Sequence, residues 1–180
     1  RSYNSQVGVP LSLLEITPDC RIALIEAGMS RPGEMARLHR IIRPDIGVFT
    51  HLGEAHGENF PSVEEKMREK ALLFKGCRTV ICREGEAASI IRGQCGPQTR
   101  LYLWGESPEA DVRVLGNTLS FSGRDVELEY GRRGGSTVEH GSIHIPFADD
   151  ASYENCMTAL SFMLCHGYEL RQLAPRIADL

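Results

Sequence analysis

A chain of 180 residues that is 42% hydrophobic is long enough for one domain with a substantial core. The 20 Lys and Arg against 24 Asp and Glu give a net charge of −4 with no basic stripe, which argues against a nucleic-acid partner. The apolar runs fall far short of the ~20 residues that span a bilayer. The opening residues do not read as a secretory leader, and a start at Arg1 rather than Met suggests an excised piece of a longer chain.

In chain order, Gly8-Val9-Pro10 reads as an extended piece following a turn. Residues 21–27 read as a strand. Residues 32–42 read as a helix with Met35, Leu38 and Ile42 inward and Pro32 in its first turn, where a missing N–H costs nothing. A strand at 46–50 leads to a helix at 62–75 that ends at Gly76. A strand at 79–82, a short helix at 86–92 closed by Gly93, and a strand at 101–104 continue the alternation. This pattern predicts an α/β fold with a parallel sheet flanked by crossover helices.

Beyond Gly105 the texture changes to short alternating runs at 111–115, 118–122, 126–130 and 142–146, separated by Gly-containing turns. They predict a small antiparallel β subsheet with one wet face. Helices follow at 151–165, closed by Gly167, and at about 170–179. The expected organisation is one domain, 1–180, with a parallel α/β part (1–105), an antiparallel β part (106–148) and C-terminal helices (149–180).

Six cysteines lie far apart with no C-x-x-C spacing, so free and mostly buried thiols in a reducing cytoplasm are expected rather than disulfides or a zinc site. The loop after the 46–50 strand holds His51, Glu54, His56 and Glu58. Loops after strand C-termini are where parallel α/β sheets bind ligands. In the next helix Val63, Met67, Ala71 and Phe74 mark a buried face at helical spacing. Lys70 falls within that stripe, and Lys66 falls nearer its edge. A lysine there either snorkels outward or is directed into a site beside the histidine loop. Glu26 ends an apolar run at a strand tip, where it is either a solvated carboxylate or a ligand.

The stretch THLGEAHGENFPSVEEKMREKALLF resembles the Mur ligase central domain, as do RSYNSQVGVPLSLL and IALIEAGMSRPGEMARL. The likeness is strongest to those members that add D-alanyl-D-alanine to UDP-N-acetylmuramoyl-tripeptide in peptidoglycan synthesis. It is dense over residues 1–74, thin over 77–145, and weaker again at 151–160. The resemblance implies a cytoplasmic ATP-dependent amide ligase working through an acyl phosphate, with ATP and Mg²⁺ as cofactors. By position it implies that Glu26 and His56 bind magnesium and that Lys70 is the carbamylated lysine, the three forming the catalytic set. It also implies that Asn4 and Ser5, with Arg31 as a further candidate, face the substrate, and that Asn155 contacts the nucleotide.

This chain departs from the family pattern at several places. His51 stands where Asn is usual, Glu154 where His is usual, Thr158 where a second Asn is usual, and Arg83-Glu84 where Asn-x-Asp is usual. No G-x-x-x-x-G-K-[ST] phosphate loop is present within these residues. Residues 1–180 by themselves are therefore expected to be inactive, with N-terminal UDP-binding and C-terminal amino-acid-binding domains lying outside them. The readings left open are another muramyl-peptide or folate ligase, a metal-dependent hydrolase using Glu26, His56 and His51, and a non-catalytic binding module.

Overall fold

The computed structural model describes residues 3–53, 57–131 and 138–180. Among them six strands form one sheet in the order β1 (Ile46–Val48), β2 (Thr79–Arg83), β3 (Arg100–Gly105), β4 (Val112–Ser120), β5 (Gly123–Gly131) and β6 (Val138–Ile145). Strands β2 and β3 pair in parallel from Thr79↔Arg100 to Arg83↔Trp104. Strand β4 joins β3 in parallel at Trp104↔Val112 and Gly105↔Arg113. It then pairs antiparallel with β5, and β5 pairs antiparallel with β6. The antiparallel part expected from the change of texture is present, and it continues the parallel sheet rather than standing apart from it.

The helices among the described residues are α1 (Gly8–Leu14), α2 (Glu34–Ile42), α3 (Val63–Ala71), α4 (Glu86–Gln94), α5 (Asp150–Cys165) and α6 (Leu170–Ala178). None is long and apolar enough to cross a membrane. Side-chain oxygens cap helix N-termini: Ser62 accepts from the Glu65 N–H, Asp149 accepts from the Ser152 N–H, and Glu169 and Gln172 form a capping box at α6. A 3₁₀ turn at Leu72–Phe74 follows α3.

The chain divides into two compact units. The first comprises residues 1–47, 54–78 and 90–99, and the second comprises 48–53, 79–89 and 100–180. In the first unit Val9, Met29, Met35, Leu38 and Phe60 form a core, against which Leu13, Ile25 and Leu73 pack. Gly47 is required there, because a Cβ would lie 2.3 Å from the Phe74 ring. In the second unit α5 packs on β2 and β3, and α6 packs on β6. The buried residues of this unit include Val80, Ile81, Trp104, Val112, Val126, Leu128, Ile145 and Met157.

Four local expectations are corrected. Residues 21–27 form neither strand nor helix and do not join the sheet, and Ile22 and Leu24 are 81% and 88% exposed. An all-apolar run makes a buried strand only when covered on both faces and paired along its edges, and this segment lacks both. Gly8-Val9-Pro10 opens helix α1 instead of remaining extended. The runs at 111–115 and 118–122 fall on a single strand, β4, because Gly116 and Asn117 pair with β5 instead of turning, and the register shift lies just before them, between Val114 and Gly116. On α3, Val63 is 66% exposed whereas Lys66 is only 5% exposed, so the buried face is rotated from the apolar stripe that the spacing suggested.

Candidate functional site

In the first unit Asn4, Glu26 and Lys70 come together. The Asn4 Nδ2 donates to Glu26 Oε1 at 2.7 Å, and the Asn4 carbonyl accepts from the Gly28 N–H at 2.7 Å. A Cβ on Gly28 would crowd the Asn4 side chain at 3.2 Å, so the glycine after Glu26-Ala27 permits this close approach. Burial pushes the Lys70 ammonium below its ordinary pKa, the positive charge of Lys66 lowers it further, and the Glu26 carboxylate opposes both. Lys66, expected near the edge of the helix face, is instead buried one turn before Lys70.

Other side chains in this unit hold the frame. Ser5 Oγ accepts from the Gly8 N–H at 3.1 Å and so helps to start α1. Glu34 Oε2 accepts from the N–H groups of Ser30 and Arg31 at 2.7 and 3.1 Å, and the Ser30 bond leads in holding this carboxyl below its usual pKa. Arg31 itself is exposed. Glu69 Oε1 accepts from Gly33 and Met35 N–H at 2.8 and 3.1 Å, binding the start of α2 to α3. Gly33 precedes α2 with φ +83°, a conformation that glycine adopts at little cost.

His56 lies outside the described residues, so its place relative to Glu26 and Lys70 is not part of this geometry. Among the described residues no group of three or more His, Cys, Asp or Glu gathers as a metal site. Magnesium takes oxygen ligands and retains waters, so few protein ligands suffice. The Glu26 carboxylate fits that role as a single oxygen donor.

The second unit holds a polar cluster where the ends of β2 and β3 meet α5. His51 Nδ1 lies 2.6 Å from Glu154 Oε2, an arrangement that places a proton on Nδ1. Arg83 Nη1 donates to the other oxygen of the same carboxylate. The His51 backbone N–H donates to Asn155 Oδ1 at 3.3 Å. Behind this cluster the Trp104 Nε1 donates to Thr158 Oγ1 at 3.0 Å, and that hydroxyl donates to the Glu154 carbonyl at 2.8 Å. The Arg83 guanidinium lies 5.4 Å from the centre of the Trp104 ring. A cavity of about 170 Å³ adjoins the cluster, lined among others by Arg83, Trp104, Arg124, Tyr153 and Glu154.

Residues 1–163 match the Mur ligase middle domain. The chain belongs to the Mur ligase family. It is 26% identical over 184 residues to the UDP-N-acetylmuramoyl-tripeptide–D-alanyl-D-alanine ligase of Synechocystis, a match covering 96% of this chain and 35% of that protein. The Escherichia coli ligase of the same name is 36% identical over 75 residues, or 42% of this chain and 17% of that protein. MurF from Acinetobacter baumannii shares the fold with a TM-score of 0.79 at 20% identity, over 99% of this chain and 38% of that one. The MurF ligase of Thermotoga maritima in complex with ADP gives a TM-score of 0.66 at 22% identity, over 97% of this chain and 39% of that one. This Mur ligase domain thus spans little more than a third of those relatives at their fullest overlap.

Three of its departures from the family pattern, His51, Arg83 and Glu154, meet in one bonded cluster, and Thr158 supports Trp104 beside it. Sequence reasoning treated each departure singly. Their joint occurrence near three strand and helix ends was the available signal.

Proposed function

We propose that this chain is the ATPase part of a ligase that adds D-alanyl-D-alanine to UDP-N-acetylmuramoyl-tripeptide. The observation that carries the reading is the Asn4–Glu26 hydrogen bond of the first unit, with Lys70 and Lys66 sharing α3 and Lys70 lying in the field of Glu26. Activating a carboxylate with ATP crowds anionic oxygens at the transferring phosphoryl group, and catalysis then rests on opposing charge. Mg²⁺ bound at Glu26 would supply part of that charge as a Lewis acid. Asn4 orients the carboxylate through its amide. Lys70, whose charged form is disfavoured chiefly by burial, is available for carbamylation and for orienting the reacting groups. The names of the relatives found over most of this chain supply the substrate pair.

The test uses the full-length polypeptide that carries these residues. Lys70→Ala should lower dipeptide-dependent phosphate release from ATP by more than about 100-fold, the scale of a lost charge-stabilising group. A small added carboxylic acid should restore part of it. Wild-type-like turnover by Lys70→Ala would sink the reading. Residues 1–180 alone should show no ligation, since they contain no phosphate-loop sequence.

A further inference from the structure

Helix α3 sorts its charges by face. Glu64 and Arg68 pair at 2.6 Å on its outer side, both half-exposed. Glu69 is committed to the N–H groups of Gly33 and Met35. Lys66 and Lys70 stand four residues apart, which makes them neighbours on the helix surface. Both are withdrawn from solvent: Lys66 is 5% exposed, and burial is the largest influence on Lys70. Lysines seldom bury fully, because the charged form loses its hydration. Two of them one turn apart add repulsion to that cost. Lys66 acts on Lys70 as a positive charge, and Glu26 acts in the opposite sense.

We infer that Lys66 is a positioning residue for the proposed ligation, a fixed cation beside which Lys70 captures carbon dioxide. This deepens the proposed function and rests on its reading of Lys70 as the carbamylated lysine. In the capture the Lys70 amine nitrogen bonds to the carbon of carbon dioxide, and one C=O π pair moves onto oxygen. The nitrogen then gives a proton to water, which leaves a carbamate anion on the side chain. Before capture Lys66 repels a positive charge on Lys70; afterwards the same charge, at the same helical spacing, attracts the carbamate. Both effects favour the carbamate. The Glu26 carboxylate works the other way at each stage, since it favours an ammonium and repels a second anion. Lys66 offsets it, so a carboxylate and a carbamate can share one site. The role asks of Lys66 only a charge held in place, and burial holds it where solvent screens it little.

The experiment adds isotopically labelled bicarbonate to the full-length polypeptide without Mg²⁺ and reads the carbamate by carbon NMR, with Lys70→Ala as the blank. Lys66→Met should raise the bicarbonate concentration for half-occupancy by about tenfold, the scale of one charge lost a helical turn away from bulk water. Lys66→Arg should stay within about threefold of wild type, because it keeps the charge while changing the shape. A purely structural role would not be rescued by charge in this way. Lys66→Met within about twofold of wild type, or Lys66→Arg as impaired as Lys66→Met, would overturn the inference while leaving the ligase reading intact. No carbamate on wild-type Lys70 would instead refute the proposed role of that lysine, and the inference with it. If Lys66→Met does not fold by circular dichroism, Lys66→Gln decides by the same criteria.

Discussion

Replacing Thr158 by valine tests the buried support of the α5 cluster. Trp104 and Thr158 are each only 1% exposed, and the indole N–H donates to the threonine hydroxyl at 3.0 Å. Valine keeps the shape and removes the acceptor, which leaves a buried donor unsatisfied at a cost of about 1–3 kcal/mol. The Glu154 carbonyl also loses a donor, but it sits within helix α5 and has the backbone ladder available. At about 2–4 °C per kcal/mol for chains of this size, the melting temperature should fall by roughly 2–12 °C. Circular dichroism and the fluorescence of the single tryptophan report the same transition. Trp104→Phe in the Thr158→Val background should recover a coupling energy of about 1 kcal/mol, because no donor then remains to be orphaned. A Thr158→Val protein within about 0.5 kcal/mol of wild type would refute the reasoning.

Gly105→Ala should destabilise by about 1–3 kcal/mol in urea melts, because the new Cβ lies 2.2 Å from Glu84 Cδ and displaces a carboxylate that accepts from Glu106 and Ser107 N–H. Burial raises the pKa of Glu84, but the bonds from Ser107 and Glu106 outweigh it and hold the group below 4.5. Its stabilisation is therefore complete above pH 4.5 and lost as pH falls through the lower folded value. Glu84→Gln should flatten that acid limb in urea midpoints measured between pH 6 and 3. For Lys70 the sign is reversed. Its folded pKa is lowered chiefly by burial, so the unfolded chain binds the extra proton and stability rises as pH climbs toward 10.5. The difference in urea midpoints between Lys70→Met and wild type should trace that rise and isolate it from the buried thiols. Burial pushes the thiol of Cys77 up to about 12 and that of Cys156 up to about 11. Native-state alkylation at pH 8, read by peptide mass spectrometry, should therefore label exposed Cys20 and spare the five buried cysteines. Prompt labelling of Cys77 would contradict its burial.

Local patterning determined much of this protein. The βα alternation through Trp104, the shift to short turn-separated strands, and the capped α5 helix follow from periodicity and turn chemistry that act within a few residues. The placement of Glu26 after an apolar run and of Lys70 on α3 was readable for the same reason. Tertiary structure decided what depends on partners distant in sequence. Residues 21–27 carry a strand's composition, yet pairing is a property of neighbours, and the segment remains outside the sheet. Gly116-Asn117 reads as a turn until pairing with Glu127 and Val126 of β5 makes it part of a strand. The α3 face that buries Lys66 instead of Val63 is set by what packs against the helix, which spacing along one chain does not encode. His51, Arg83 and Glu154 are over 30 residues apart at their closest, so only folding could show that these three departures bond to one another.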